Sequence, residues 1–197
     1  PVYWEGKKRA RMARTRMFTK QRAEFYTLLC QEIDTFLRKC KRVNRKPAVR
    51  LNGTSDITWE TIFPELFTKY PGVQWYDYTK NPNRFGNLPA NYDLTFSRSE
   101  ENEFEVGFVL ARGGRVAVVI DTARTQAKPN IWQGIIAGNG DIHDMTFLRS
   151  ERVLLLSAKG NGRTDDTGFV WKLDPNARNI DQQRREANVV HTVQLAV

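Results

Sequence analysis

Between residues 25 and 40 the apolar side chains Phe25, Leu28, Leu29, Ile33, Phe36, Leu37 and Cys40 recur at steps of three and four. That spacing lines one stripe of an amphipathic helix and predicts a helix over residues 20–42. Arg38, Lys39, Lys41 and Arg42 crowd its last turn, where cations offset the negative end of the helix dipole, and Pro47 stops it. After Pro47 the period changes. Short β-type runs fall at 48–52, 73–78, 92–97, 116–120 and 153–157, with a weaker one at 134–137. Helical patterns fit at 58–69 and 100–112, the second ending at Gly113-Gly114, a good C-terminal stop. Strand, helix and strand at this spacing predict right-handed crossovers and an α/β fold. The expected architecture is a mostly parallel sheet or a partial (β/α) barrel, preceded by an N-terminal helical basic arm. The arm covers residues 1–46 and the α/β domain residues 47–197, in one compact unit. Residues 158–168 and 174–188 read as loops or a loose surface helix.

Each predicted strand runs into polar residues at its C-terminal end, the edge where parallel sheets and barrels bind ligands. The residues expected to pool there into one pocket are Arg50, Asn52, Asp56, Asp77, Tyr78, Lys80 and Arg98. Asp93, Thr95 and Ser97 alternate with Tyr92, Leu94 and Phe96, so one face of that strand is wholly polar. Such a face implies a wet or ligand-filled interior. Asp56 with Asp77 or Asp93 forms an acid/base pair only if their strands are neighbours. The run Ala158-Lys159-Gly160-Asn161-Gly162-Arg163 lacks phosphate-loop spacing. It reads first as a turn and at most as an anion-contacting loop. Gly138 to Asp141 is turn chemistry. Asp141, His143 and Asp144 offer a set of divalent-ion donors, although such residues more often only cap a loop. Trp75, Tyr76 and Tyr78, followed by Lys80 and Arg84, could stack on and neutralise nucleotides. Sheet packing is the commoner use of strand aromatics.

Charge changes this picture more than composition does. With 40% hydrophobic and 27% charged residues, the chain has the make-up of a folded domain. Its net charge of +9 is uneven: residues 1–50 hold fifteen Lys/Arg against four Asp/Glu, and the remainder sixteen against eighteen. The excess sits in the arm, and Lys7, Lys8, Arg9, Arg11, Arg14 and Arg16 are the expected phosphate contacts for nucleic acid or another polyanion. No apolar run approaches the roughly 18 residues that span a bilayer. The expectation is a protein of the cytoplasm, or of a host cytoplasm, with no membrane partner. The start at Pro1, with no initiator Met, reads as a processed or truncated product. Cys30 and Cys40 are the only cysteines, and with His143 and His191 they make neither a disulfide framework nor a four-ligand Cys/His metal site.

Four stretches carry a resemblance: 13–18, the long run 49–60, 76–80 and 89–99, supported by Gly140-Asp141 and by parts of 158–170. They resemble the phage- and plasmid-borne gene-product-eighty-eight-like family, which has no settled activity. The resemblance implies a mobile-element protein with a barrel-like α/β fold. Members of that family typically carry an upstream cysteine cluster resembling iron–sulfur ligands, on a fold similar to a radical S-adenosylmethionine barrel, and this sequence has no such cluster. Three functions follow as expectations. The first is a nucleic-acid-associated accessory protein that binds phosphates through its arm. The second is an iron–sulfur or S-adenosylmethionine-type enzyme whose cluster-binding segment is missing. The third is an inhibitor that binds a host protein complex. No cofactor is assigned by the residues alone.

Overall fold

The computed structural model describes residues 2–53, 55–142 and 145–173. They fall into two compact units, Pro1–Ala48 and Val49–Val197.

The first unit is built from α1 (Val2–Lys20) and α2 (Arg22–Arg42). Only Gln21 interrupts them, with φ −136° and ψ 56°. The Phe18 ring meets Phe25 edge-on at 5.3 Å, and the Arg22 guanidinium lies 5.1 Å above Phe18, so the junction is packed by side chains from both helices. The stripe on α2 is narrower than the spacing predicts. Cys30, Ile33 and Cys40 are buried, whereas Leu28 is 45% exposed and Phe36 36% exposed. At about 100° per residue, Leu28 points to the far side of the helix and Phe36 to the edge of the stripe.

The second unit holds a seven-stranded sheet among the described residues, in the order β1-β2-β3-β4-β7-β6-β5. Its strands are β1 (Ala48–Val49), β2 (Gln74–Thr79), β3 (Tyr92–Ser97), β4 (Arg115–Ile120), β5 (Ile131–Trp132), β6 (Ile135–Asn139) and β7 (Val153–Ser157). The pairs β2–β3, β3–β4, β4–β7 and β7–β6 are parallel, and only β5–β6 is antiparallel. The mostly parallel sheet expected from the sequence is therefore present. Between β1 and β2 the predicted helix 58–69 is two short ones, α3 (Trp59–Ile62) and α4 (Glu65–Lys69). Pro64 causes the break, because proline lacks an N–H and drives the preceding residue out of helical geometry; Phe63 has φ −135° and ψ 62°. α5 (Glu103–Ala111) joins β3 to β4 and ends two residues before Gly113, which takes φ +80°.

The two faces of the sheet differ. On one, Trp75, Phe96, Val116, Val118, Ile120, Val153 and Leu155 are completely buried. Phe67 of α4 stacks on Tyr92 and meets Trp75 edge-on on that side, and Val106 and Val109 of α5 are buried as well. On the other face, Tyr76, Tyr78, Asp93, Ser97, Arg115, Val119 and Leu156 are only half-buried. The Thr146–Leu148 turn crosses its N-terminal end, where Phe147 packs on Tyr76 and the Thr146 hydroxyl donates to Asp93. No helix among the described residues is long and apolar enough to cross a membrane.

Candidate functional site

The residues that the sequence assigns to one pocket divide into two groups. Beyond Val49 the chain leaves the sheet, so Asn52 is not an alternating strand residue; its side chain turns inward and is 1% exposed. Its carbonyl oxygen accepts from Ser55 Oγ, Ile57 N and Trp59 Nε1, and its amide donates to the Ile57 carbonyl. Its backbone N–H donates to the Asp77 carboxylate at 3.0 and 3.2 Å, and Tyr92 Oη donates to the same group at 3.2 Å. Burial pushes Asp77 up to about 6, against the opposing pull of Asn52, Tyr92, Arg50 and Arg84. Asp56 accepts from Thr79 Oγ1, Lys80 N and Arg84 Nη1, and Glu60 takes two parallel bonds of 2.8 Å from Arg84 Nε and Nη2. Burial works against the charge on Arg84, but the Glu60 bonds override it and hold the guanidinium above its ordinary value. Burial, and then the charge of Asp77, raises Tyr92 as well.

These groups satisfy one another in a polar network filled by protein side chains. Asp56, Asp77 and Asp93 each have partners of their own, Asp93 being held by Arg115 at 2.6 Å, so no acid/base pair forms between them. Arg84, expected beside a nucleotide, is 6% exposed, and Trp75 lies on the opposite face from Tyr76 and Tyr78. Arg98 donates to Glu103 and to the carbonyls of Gly168 and Phe169. It thereby clamps the segment whose Trp171 pairs with Ile120 beside β4, just past the end of β3. Lys80 stands 5.9 Å from the Phe169 ring.

Arg50 donates to the Asn52 backbone carbonyl at 3.1 Å and lies 3.6 Å from Asp77 Oδ1, but with Tyr78 it also borders open space. The guanidinium lies 4.7 Å above the Tyr78 ring, and both line a hollow of about 420 Å³ with Ser97, Arg124, Asp141, Leu156 and Lys159. Arg124 and Lys159 also line a cleft of about 550 Å³ over the ends of β4 and β7, together with Asp121, Ser157, Gly162 and Arg163. The loop after β7 thus supplies two of the three cations that line this cleft. Arg124 gave no signal in the sequence beyond its place after a strand. Behind the cleft, Lys128 Nζ bonds Asp141 Oδ2 at 2.8 Å and Ser157 Oγ at 2.9 Å, with both charged side chains almost fully buried. Burial alone would raise Asp141, but Lys128 and Ser157 outweigh it and hold the carboxyl below its ordinary value. Asp141 is therefore an ion-pair partner here; His143 and Asp144 lie outside the described residues. Among the described residues no group of three or more His, Cys, Asp or Glu could hold a metal ion.

The arm places Lys7, Lys8, Arg9, Arg11, Arg14 and Arg16 on α1, all exposed. At about 100° per residue, Lys7, Arg11 and Arg14 form one row, and Arg9, Arg16 and Lys20 a second on nearly the opposite side. Cys30 and Cys40 are both buried and sit ten residues apart on α2, about 15 Å along its axis. That separation does not fit two ligands of one iron–sulfur cluster.

Fold and edge together define an α/β protein with a mostly parallel sheet, an open half-face and a basic cleft at the carboxyl ends of its strands. The chain belongs to the gene product 88 family, a phage-type family that it matches over residues 3–173. No curated protein and no solved structure matches it.

Proposed function

We propose that this phage-type gene product binds nucleic acid through α1. The observation that carries the reading is the pair of exposed basic rows on opposite sides of one helix. A helix with its side chains is about 10–12 Å across, and the major groove of B-form DNA is about 12 Å wide. A helix lying in that groove has a phosphate backbone on either side, so one row meets each strand. The major groove of A-form RNA is too narrow and deep for this, which favours duplex DNA. Each phosphate neutralised contributes a slope of about −0.9 to the dependence of log K on log salt. Replacing Lys7, Arg11 and Arg14 by Ala is expected to flatten that slope by about 2 to 3, and replacing Arg9, Arg16 and Lys20 by a similar amount. Failure of micromolar protein to retard any duplex at low salt would end the reading. Flattening by one row alone would replace groove insertion with one-sided docking on a backbone.

A further inference from the structure

The basic cleft over β4 and β7 takes no part in the arm's proposed role. The strand order reverses at this point. The chain leaves β4 outward for β5 and β6 and then turns back to insert β7 beside β4. The loops that follow β4 and β7 therefore meet at the carboxyl ends of neighbouring parallel strands, the edge where open α/β sheets place their ligands.

The chemistry of the crevice is two-sided. At one end, Arg124, Lys159 and Arg163 line about 550 Å³ of open space. The side chains of Lys159 and Arg163 make no hydrogen bond or ion pair with any described residue, and Arg124 spends one nitrogen on the Asp141 carbonyl at 3.1 Å. The acid in this compartment, Asp121, already accepts the Leu173 N–H on Oδ1. Three cations from two loops with so little internal neutralisation suit an anion with several oxygens. Arg124 and Lys159 also border the neighbouring hollow, so the two spaces share a wall. That hollow has the flat Tyr78 ring on one side, Leu156 on the sheet, and Asp141 at its rim. Asp141 Oδ2 is filled by Lys128 and the Ser157 N–H, but Oδ1 is buried with no hydrogen-bond partner.

We propose that the crevice binds a nucleoside phosphate: Arg124, Lys159 and Arg163 hold the phosphate, and the hollow takes the base between the Tyr78 ring and Leu156. An anion without a base leaves the hollow beside Tyr78 and Leu156 unfilled, and a nucleoside without a phosphate leaves the three cations unmet. The phosphate belongs either to a free nucleotide or to the 5′ end of a strand.

Calorimetry on the full chain tests this, using the four nucleoside 5′-monophosphates, the matching nucleosides and inorganic phosphate at about 0.15 M salt. At least one nucleotide is expected to bind about tenfold or more tightly than both its nucleoside and inorganic phosphate. Joint Lys159→Ala and Arg163→Ala changes should remove most of that advantage and leave nucleoside binding as it was, whereas Tyr78→Leu should weaken both. Changing Arg9, Arg11, Arg14 and Arg16 to Ala should leave nucleotide binding intact, which separates this site from the arm. A 5′-phosphorylated oligonucleotide that displaces the nucleotide, when its 5′-hydroxyl twin does not, would support the site and assign the phosphate to a strand end. The proposal falls if no nucleotide outcompetes inorganic phosphate, or if the Lys159/Arg163 double variant binds nucleotide as the unmodified chain does.

Discussion

The carboxyl edge of the sheet holds two kinds of polar region made from similar residues. On the β1–β2 side, Asn52, Asp56, Glu60, Asp77, Arg84 and Tyr92 satisfy one another, and Arg84 alone bonds three of them. On the β4–β7 side, Arg124, Lys159 and Arg163 face open space. The difference lies in what the following chain does. After β1 it folds back over the edge as residues 50–60 and brings carboxylates to the arginine. After β7 it turns away through Gly160–Thr164 and leaves the cations outward. Charged residues at a sheet edge therefore stay open to solvent only where the loop carrying them does not also bring their counterions.

The largest expected effect breaks the closed half. Arg84 is 6% exposed and joins Asp56, Glu60 and Tyr92. Arg84→Ala leaves Glu60 buried without its partner and should cost about 3–5 kcal/mol, read as a lower urea midpoint at unchanged slope. Arg84→Lys keeps the charge but not the paired bonds to Glu60, and should recover only part of the loss. Near-normal stability in Arg84→Ala would show that the network is loosely packed.

The two buried aspartates sharpen the contrast, because their protonation works in opposite senses. Asp77 titrates near 6 in the folded protein against 3.8 when free, so the folded state holds its proton more tightly. Its contribution is fully present below about 4 and is lost as pH rises through about 6, amounting to roughly 3 kcal/mol. Asp141 titrates below 3.8, so its contribution is present above that value and is lost as pH falls through its lower folded value. Carboxyl carbon shifts followed by NMR should show Asp77 titrating well above Asp141. Asp77→Asn should remove the loss of stability between about pH 4 and 6, and Asp141→Asn should not. The same order of titration in both, or no change in the pH profile of Asp77→Asn, would contradict the assignment.

Much of the scaffold was readable from periodicity alone. The runs at 92–97 and 153–157 are β3 and β7 to the residue, and Gly113 ends α5 as its position suggests. The failures have local causes. The helix expected over 58–69 overlooked Pro64. The β5–β6 hairpin turns at Gln133-Gly134, both at positive φ, and Gln at the first position is not the Asn or Asp that usually announces such a turn. For the site, the sequence showed which edge collects polar groups but not which of them pair. Asp56 and Arg84 lie 28 residues apart, and nothing in their spacing says that they meet at 2.8 Å. Lys159 and Arg163 carry too plain a pattern to stand out from a turn, and what sets them apart is the lack of carboxylate partners for their side chains among the described residues.

The smallest expected effect bears most directly on the open half. Lys159 and Arg163 are exposed and their side chains make no bond to a described residue, so replacing both with Ala removes no side-chain hydrogen bond. Stability should change by no more than about 0.5 kcal/mol. A slight gain is the favoured sign, since two like charges lining one cleft repel each other and the Asp121 carboxylate beside them only partly offsets this. The repulsion is screened by salt, so any gain should shrink between low and high ionic strength. Thermal melts of the double variant and the unmodified chain at two salt concentrations measure both quantities. A loss of 2 kcal/mol or more would mean that these cations hold the fold together, as Arg84 does, and the distinction between the two halves of the edge would disappear.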